Sequence, residues 1–356
     1  MMIRKATLAG FSIFAFAFQA AGIAASEPIT HQEMVKAAIE THIIPHFKAF
    51  KAAAEPLPAA VANVCKTGSA EANRALTDQF AKTVVAYAGV DFLRFGPMLE
   101  KGRRERLSFW PDPRGYVSRQ LRLILSKQDE AVVQPGAIGK QSAAVQGLTA
   151  LELLIHDPEV PLGPGEAAHY RCRVAEAIAG NIVRLASEIT EEWEKPGGWA
   201  EKMFNPGPEN DTYKSTSEAA VEVVKALIVG LSLTADVQMK PKVDPTIRLK
   251  PPYDRSGLQR PFFIATVTSL RELYNALQLE SYLPKNRLWM KDWVSGTWRT
   301  LESSDGAGGR AEHAQRDDAP TTREVFDRAT ALRNMVGHRL AVAAKLTVGF
   351  NELDGD

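Results

Sequence analysis

Apolar residues recur at intervals of three and four along nearly every long segment of this 356-residue chain. Within 71–92 they include Leu76, Phe80, Val84 and Ala88. An α-helix with one buried face has this period, whereas a half-buried strand alternates every second residue. Runs of β-branched residues between hairpin turns are missing from the sequence. The pattern therefore predicts an all-α fold.

The same period predicts eight long helices and the breaks between them. The predicted helices span 31–53 (with a kink at Pro45), 71–92, 116–125, 143–155, 166–194, 215–237, 264–277 and 322–346. Asp157-Pro158 ends one helix, because a residue before proline is pushed out of the α region, and Gly163-Pro164-Gly165 precedes the next. We expect two packed helical-bundle halves, residues 27–160 and 161–356. The polar, glycine-containing segment 303–321 is interpreted as a mobile loop of the second half.

The first 26 residues have the layout of a secretory signal peptide. A short basic start is followed by a mostly apolar run over 6–21 and by the small residues Ala24, Ala25 and Ser26. The apolar run is short for a membrane anchor, and no later stretch reaches ~18 apolar residues. We expect cleavage after Ala25 or Ser26, a periplasmic location, and no transmembrane segment in the mature chain.

The charge balance of the chain is close to neutral. Lys and Arg number 43 and Asp and Glu 42, and removal of Arg4 and Lys5 with the signal peptide leaves 41 against 42. This balance does not favour a nucleic acid or an anionic membrane as partner.

The sequence contains two cysteines, Cys65 and Cys172. In an exported protein an even pair favours a disulfide, and two buried free thiols are the alternative. Their wide separation and the lack of neighbouring histidines do not favour a metal site.

One carboxylate, Glu152, lies in the middle of an otherwise apolar predicted helix that reads as buried all round. Thr149 and His156 flank it on the same helical face. Burying an unpaired carboxylate costs several kcal/mol, so Glu152 requires a partner, a proton or a ligand. Three interpretations remain open: a structural acid bonded to Thr149, an arginine or backbone groups; an acid lining a ligand crevice; or a metal ligand, with His156 at i+4 as the second ligand.

A second motif, Phe109-Trp110-Pro111-Asp112, precedes a predicted helix near Arg114. Asp112 is suited to cap that helix, and Trp110 to form a core or pocket wall. Arg119 is one of six arginines around this stretch that can pair with Glu152 or hold an anionic ligand. The predicted binding residues are Glu152, Thr149, Trp110, Asp112 and Arg119.

Three separated segments together resemble the imelysin family, also known as peptidase family M75. They are Phe109-Trp110-Pro111-Asp112-Pro113-Arg114-Gly115, the helix Gly147–Leu154 and the C-terminal segment Gly349–Asp356, together with the cysteine in Tyr170-Arg171-Cys172. The resemblance implies two helical-bundle halves with a site in the crevice between them, an exported protein, and an association with iron uptake.

The chain departs from the family's Gly-x-His-x-x-Glu pattern at one position. Gly147 and Glu152 are kept, but Thr149 stands where the resemblance places histidine. A threonine hydroxyl is a weak ligand for a transition metal, whereas imidazole is the commonest one. This undercuts a metallopeptidase mechanism.

The sequence favours a non-catalytic periplasmic binding or accessory protein linked to iron uptake, with an envelope iron-uptake partner. No catalytic residue is assigned, since the sequence contains neither a His-Glu-x-x-His nor a Gly-x-Ser-x-Gly motif. The alternatives are a metallopeptidase that holds iron or another divalent metal through Glu152 and His156, and a surface interaction protein. His42 and His46 lie four apart but with Pro45 between them and no acid at a helical offset, so we interpret them as a packing or surface pair.

Overall fold

The computed structural model describes residues 27–304 and 320–349. Within these ranges the regular elements are helices and no β-strand is formed, which confirms the all-α fold. The α-helices are α1 (His31–Ala38), α2 (Ile44–Ala54), α3 (Leu57–Thr67), α4 (Ala70–Ala88), α5 (Arg103–Leu107), α6 (Tyr116–Lys127), α7 (Leu148–Ile155), α8 (Glu166–Glu194), α9 (Trp199–Phe204), α10 (Thr216–Ser232), α11 (Lys240–Val243), α12 (Gln259–Leu277), α13 (Trp289–Ser303), α14 (Thr322–Met335) and α15 (Ala341–Ala343).

Three of the long helical segments are interrupted by π-helical turns. Ile39–Ile43 joins α1 to α2, Leu233–Met239 joins α10 to α11, and Val336–Leu340 joins α14 to α15. Pro45 lies in the first turn of α2, directly after the π-helical turn, within one continuous helical segment, so its missing N–H removes one donor from the backbone hydrogen bonds there. The kink at Pro45 stays a prediction.

The helices pack as two groups that share a long core. α8 packs against α2 and α3, and α4 completes this first group. α1 packs instead against α10 and α12, and α13 and α14 complete the second group. The continuous segment α1–α2 thus contributes to both groups, and α4 packs against α12 where the groups meet.

The predicted disulfide is confirmed. Cys65 on α3 and Cys172 on α8 are bonded, with their Cα atoms 5.8 Å apart. The bond ties the two sides of the first group, one before and one after residue 160. The division into halves at residue 160 stays a prediction.

Arg103 anchors the short helix α5 on α8. Its side chain is almost completely buried, and its guanidinium donates to both carboxylate oxygens of Glu192, at 2.8 and 2.6 Å, and to the carbonyl of Pro97 at 2.9 Å. This fork fixes the first residue of α5 on α8, and the last turn of α5 meets Gly147, where α7 begins.

None of the described helices is long and apolar enough to cross a lipid bilayer. The predicted signal peptide (1–26), most of the polar loop (303–321) and the C-terminal motif beyond Gly349 lie outside the described residues.

Candidate functional site

The first residue of the Gly147–Leu154 motif is a glycine because the backbone of α5 presses against it. A Cβ atom on Gly147 would lie 2.1 Å from the carbonyl oxygen of Leu107 and 2.3 Å from that of Arg106. No real Cβ atom makes backbone contacts this short, so a larger residue would push the two helices apart. The glycine therefore sets how closely α7, which carries Glu152, docks on α5.

Glu152 is buried on α7, with 6 % of its surface exposed. Its Oε1 accepts hydrogen bonds from the backbone N–H of Ser256 at 2.9 Å and from the Ser256 hydroxyl at 2.6 Å. Burial raises the pKa of the Glu152 carboxyl above its ordinary value, and the two bonds from Ser256 act in the opposite direction. The partner that the sequence required is therefore a serine from the turn before α12.

Thr149 does not bond to Glu152. Its hydroxyl accepts the backbone N–H of Phe109 at 3.2 Å. Next to it, the Ser108 hydroxyl lies 3.1 Å from the hydroxyl of the buried Tyr253. The Thr149 hydroxyl thus holds the backbone at Phe109 against α7.

Trp110 and Asp112 form the opposite wall of the same region. The indole N–H of Trp110 donates to the carbonyl of Lys250 at 3.1 Å, and the Trp110–Pro111 peptide bond is cis. Asp112 accepts the backbone N–H groups of Tyr116 at 2.8 Å and Val117 at 2.9 Å, at the start of α6. These bonds satisfy donors that a helix start leaves free, as the sequence predicted for Asp112.

Four of the five predicted binding residues line one cavity of about 540 Å³. They are Trp110, Asp112, Thr149 and Glu152. Arg119 does not line it; its guanidinium lies over the exposed ring of Tyr116, 4.6 Å from the ring centre.

The remaining wall of the cavity comes from the segment 248–255, which follows α11. It brings three exposed basic side chains, Arg248, Lys250 and Arg255, to the cavity. Together with Glu152 and Asp112 they give the cavity charges of both signs. This arrangement can hold a ligand that carries anionic groups and hydrogen-bond donors.

His156 lies at the C-terminal end of α7 and is not part of the cavity lining. Its ring lies 5.9 Å from the ring of Phe80, and its Nε2 has no hydrogen-bond partner. Burial, followed by the nearby charge of Arg255, lowers its pKa and favours the neutral ring.

The donor set around Glu152 does not fit a transition-metal centre. No imidazole lines the cavity, and in the described part of the chain no group of three His, Cys, Asp or Glu ligand atoms includes Glu152 or His156. We therefore assign no metal-dependent step to this cavity, and the metal hypothesis at Glu152 and His156 stays a prediction.

Arg171 is a structural residue of the site that sequence reasoning missed. From α8 its Nη2 donates to the carbonyls of Leu153 at 3.3 Å and Leu154 at 3.4 Å, and to Asp157 at 2.9 Å. These carbonyls are the free acceptors at the end of α7, so the cation caps the helix that carries Glu152.

Comparison with known proteins places the chain in a family. The family model described as Imelysin (Peptidase_M75) matches residues 43–291, more than half of the sequence. The chain belongs to the imelysin family. That match covers the cavity, the disulfide and helices α2 to α12.

Two solved structures share the imelysin fold of this chain. One is an imelysin-like protein from Psychrobacter arcticum 273-4, with a TM-score of 0.71, 16% identity, and coverage of 90% of this chain and 98% of the other. The second is a putative iron-regulated protein A precursor from Parabacteroides distasonis ATCC 8503, with a TM-score of 0.63, 12% identity, and coverage of 90% and 96%. No curated protein matches the chain. At these identities the likeness concerns the fold.

Proposed function

We propose that this imelysin-family chain is an exported, non-catalytic binding protein that captures a small ligand in the Glu152 cavity and serves iron uptake. The observation that carries the proposal is the meeting of Trp110, Asp112, Thr149 and Glu152 in one cavity of about 540 Å³. This volume lies within the range of about 300–1,000 Å³ that is usual for small-molecule sites.

The charges of the cavity support a ligand that is rich in oxygen atoms and carries both anionic groups and hydrogen-bond donors. Arg248, Lys250 and Arg255 supply cationic groups at the cavity, and the carboxylates of Asp112, Asp254 and the more deeply buried Glu152 supply acceptors. Because Glu152 is held by Ser256, it is already oriented before a ligand arrives. Anionic chelates of ferric iron have the required chemistry, and one structural neighbour is named a putative iron-regulated protein A precursor.

Calorimetry and thermal unfolding test the proposal directly. The purified protein is titrated with ferric citrate, iron-free citrate, haem, Fe²⁺ and Zn²⁺. A ligand at 100 times its dissociation constant is expected to stabilise the protein by about 2.7 kcal/mol. Trp110→Ala and Glu152→Gln should weaken binding, whereas Arg119→Ala, which alters a charge outside the cavity, serves as the matched control. Binding of ferric citrate, citrate or haem that survives both cavity variants, or no binding of any of these three ligands, contradicts the proposal; the bare ions Fe²⁺ and Zn²⁺ show whether metal binds apart from a chelate and do not decide it.

The name of the matching family model makes peptidase activity the second function to test. A screen of unstructured peptides, with and without added Zn²⁺, measures cleavage by the same preparation. Cleavage that disappears in Glu152→Gln would replace capture by hydrolysis as the function of the cavity, while no cleavage above the buffer rate supports capture.

Export is tested separately from binding. Periplasmic and cytoplasmic fractions of expressing cells are separated, and the N-terminus of the protein is sequenced. The proposal expects a periplasmic chain that begins at Ser26 or Glu27. A chain that begins at Met1 or Met2 in the cytoplasmic fraction contradicts export without affecting the binding test.

A further inference from the structure

A group of three side chains outside the Glu152 cavity converges in a way that the sequence did not reveal. His42 on the π-helical turn, His46 on α2 and Glu272 on α12 bring one ligand atom each to within 4.8 Å of one another. We call these residues the histidine cluster. The acid that the sequence lacked beside the two histidines comes from a helix more than 200 residues further along the chain.

The hydrogen bond of His46 determines which ring nitrogen faces the cluster. Its Nδ1 lies 2.8 Å from the carbonyl oxygen of His42, a distance at which the Nδ1–H donates to that oxygen. The Nε2 of the neutral ring then presents a lone pair, and Oε2 of Glu272 lies 3.1 Å from it. Two acceptors at this distance repel each other unless a proton or a cation lies between them.

The buried imidazole of His42 also lacks hydrogen bonds. His42 is 1 % exposed, and neither of its ring nitrogens has a hydrogen-bond partner. Its ring packs 4.1 Å from the ring of His46, measured between centres. A proton on His46 would satisfy the contact with Glu272 but would leave His42 without a partner, at a free-energy cost of about 1–3 kcal/mol.

We infer that the histidine cluster binds a divalent transition-metal ion, which satisfies all three side chains at once. Two imidazoles and one carboxylate are a ligand set used by zinc and by non-haem iron. Zinc bonds of about 2.0–2.2 Å place neighbouring ligand atoms roughly 3.3 Å apart, so binding would draw ligand atoms that lie within 4.8 Å of one another closer by at most about 1.5 Å. The bond from His46 Nδ1 to a backbone carbonyl is the outer contact that metal-bound histidines usually make.

The surroundings of the cluster leave room for the ion and its remaining ligands. His46 and Glu272 line a cavity of about 570 Å³ between α2, α4 and α12. Gly89 borders the same cavity, and a Cβ atom there would lie 2.6 Å from Cδ2 of His46, so the glycine admits the histidine ring. The π-helical turn, a feature often found at functional sites, carries His42.

Metal titration of the tag-free, chelator-treated protein tests the inference. Calorimetry with Zn²⁺ should show one ion per chain, and Co²⁺ should give a visible absorption band that Zn²⁺ removes. His46→Ala and Glu272→Gln should each weaken Zn²⁺ binding by more than the about 10- to 100-fold that loss of an outer contact causes. His169→Ala, at an exposed histidine of α8, is the matched control and should bind as the unmodified protein does.

Two further variants keep the outcome unambiguous. His42→Phe keeps the ring packing and removes both unpartnered nitrogens, so the metal-free protein should unfold at the same or a higher temperature while losing Zn²⁺ binding. Glu152→Gln should leave Zn²⁺ binding unchanged, which separates this result from the test of the Glu152 cavity. Stoichiometric binding that persists in His42→Phe or in Glu272→Gln overturns the inference, as does an unmodified protein that takes up no Zn²⁺.

Discussion

Ser256 satisfies Glu152 through two donors of a single residue that lies 104 positions further along the chain. The backbone N–H fixes the path of the turn, and the hydroxyl adds a short bond of 2.6 Å to the same carboxylate oxygen. The pair has two effects. It gives the buried carboxylate of Glu152 the hydrogen bonds that burial requires, and it holds the segment 248–255 against the cavity.

Ser256→Ala is expected to destabilise the protein at neutral pH. The change removes the hydroxyl donor but keeps the backbone donor, and a hydrogen bond to a charged group contributes about 1.5–3 kcal/mol. Urea denaturation at pH 7 measures the difference. Ser126→Ala, at an exposed serine that bonds only to a carbonyl of its own helix, should change the stability by less than about 0.5 kcal/mol. Equal losses of stability in the two variants would show that the hydrogen bond from the Ser256 hydroxyl to Glu152 does not stabilise the protein.

Glu152→Gln is expected to reveal the raised pKa of Glu152 as a pH-dependent stability. Below its ordinary pKa of 4.5 the carboxyl is protonated in both the folded and the unfolded chain. Between 4.5 and the raised pKa, the folded chain binds the proton more tightly, so the native protein loses stability as pH rises. The neutral amide lacks this loss. Denaturation between pH 4 and pH 8 measures the free energy of unfolding of both proteins. The value for Glu152→Gln should rise relative to that of the unmodified protein as pH increases. A difference that does not change with pH would contradict the raised pKa.

The helices with clear periodicity could be predicted from sequence, and α8 was found with the predicted bounds 166–194. The apolar periodicity of α8 continues over 29 residues, and glycine and proline lie on either side of the helix. α3 and α13 were not predicted: α3 is short, begins beside two prolines and carries only three buried apolar residues. A periodicity of three turns is too little to separate such a helix from a loop.

The candidate site shows which contacts a sequence can and cannot supply. Glu152 could be singled out because its burial follows from its own helix, but Ser256 could not, because a pairing across 104 residues leaves no local pattern. Arg119 was selected by proximity in sequence. It lies two residues, roughly 200° of helical rotation, from the buried Val117, which turns it towards solvent. The acid of the histidine cluster was missed for the same reason as Ser256.

Gly147→Ala is expected to be among the most damaging single-methyl additions in the chain. The added Cβ would meet two backbone carbonyl oxygens, which cannot rotate away as a side chain can. Overpacking of this kind costs about 1–3 kcal/mol, and we expect the upper end or more. Gly180→Ala is the opposite case: it lies in an exposed position of α8 with open space around it, so it should stabilise by about 0.5–1 kcal/mol. Thermal unfolding of the two variants should therefore shift in opposite directions.

Loss of the Cys65–Cys172 bond is expected to lower stability mainly by freeing the unfolded chain. The bond closes a loop across 107 residues, and a loop of this size corresponds to about 4.7 kcal/mol in the chain-entropy treatment, which is an upper value. The double variant Cys65→Ser, Cys172→Ser should show this loss in denaturant, and added reductant should reproduce it in the unmodified protein. Reductant should have no effect on the double variant; an equal effect on both would assign the loss to something other than this bond.

Arg103→Met is expected to destabilise the protein in a way that depends on pH. Removing one partner of a buried pair costs about 3–5 kcal/mol, and because Glu192 is partly exposed we expect the lower part of this range when it loses the guanidinium that bonds both of its oxygens. The hydrogen bonds from Arg103 lower the pKa of Glu192, so the contribution of the pair is present above the ordinary value of 4.5 and is lost as pH falls through the lowered pKa. Urea denaturation at pH 7 and at acid pH should show a large difference that shrinks on acidification. Arg173→Met breaks the more exposed pair with Glu130 and should change stability by only about 0–1 kcal/mol. If Arg103→Met lowers the free energy of unfolding as little as Arg173→Met does, the hydrogen bonds between Arg103 and Glu192 do not hold α5 in place.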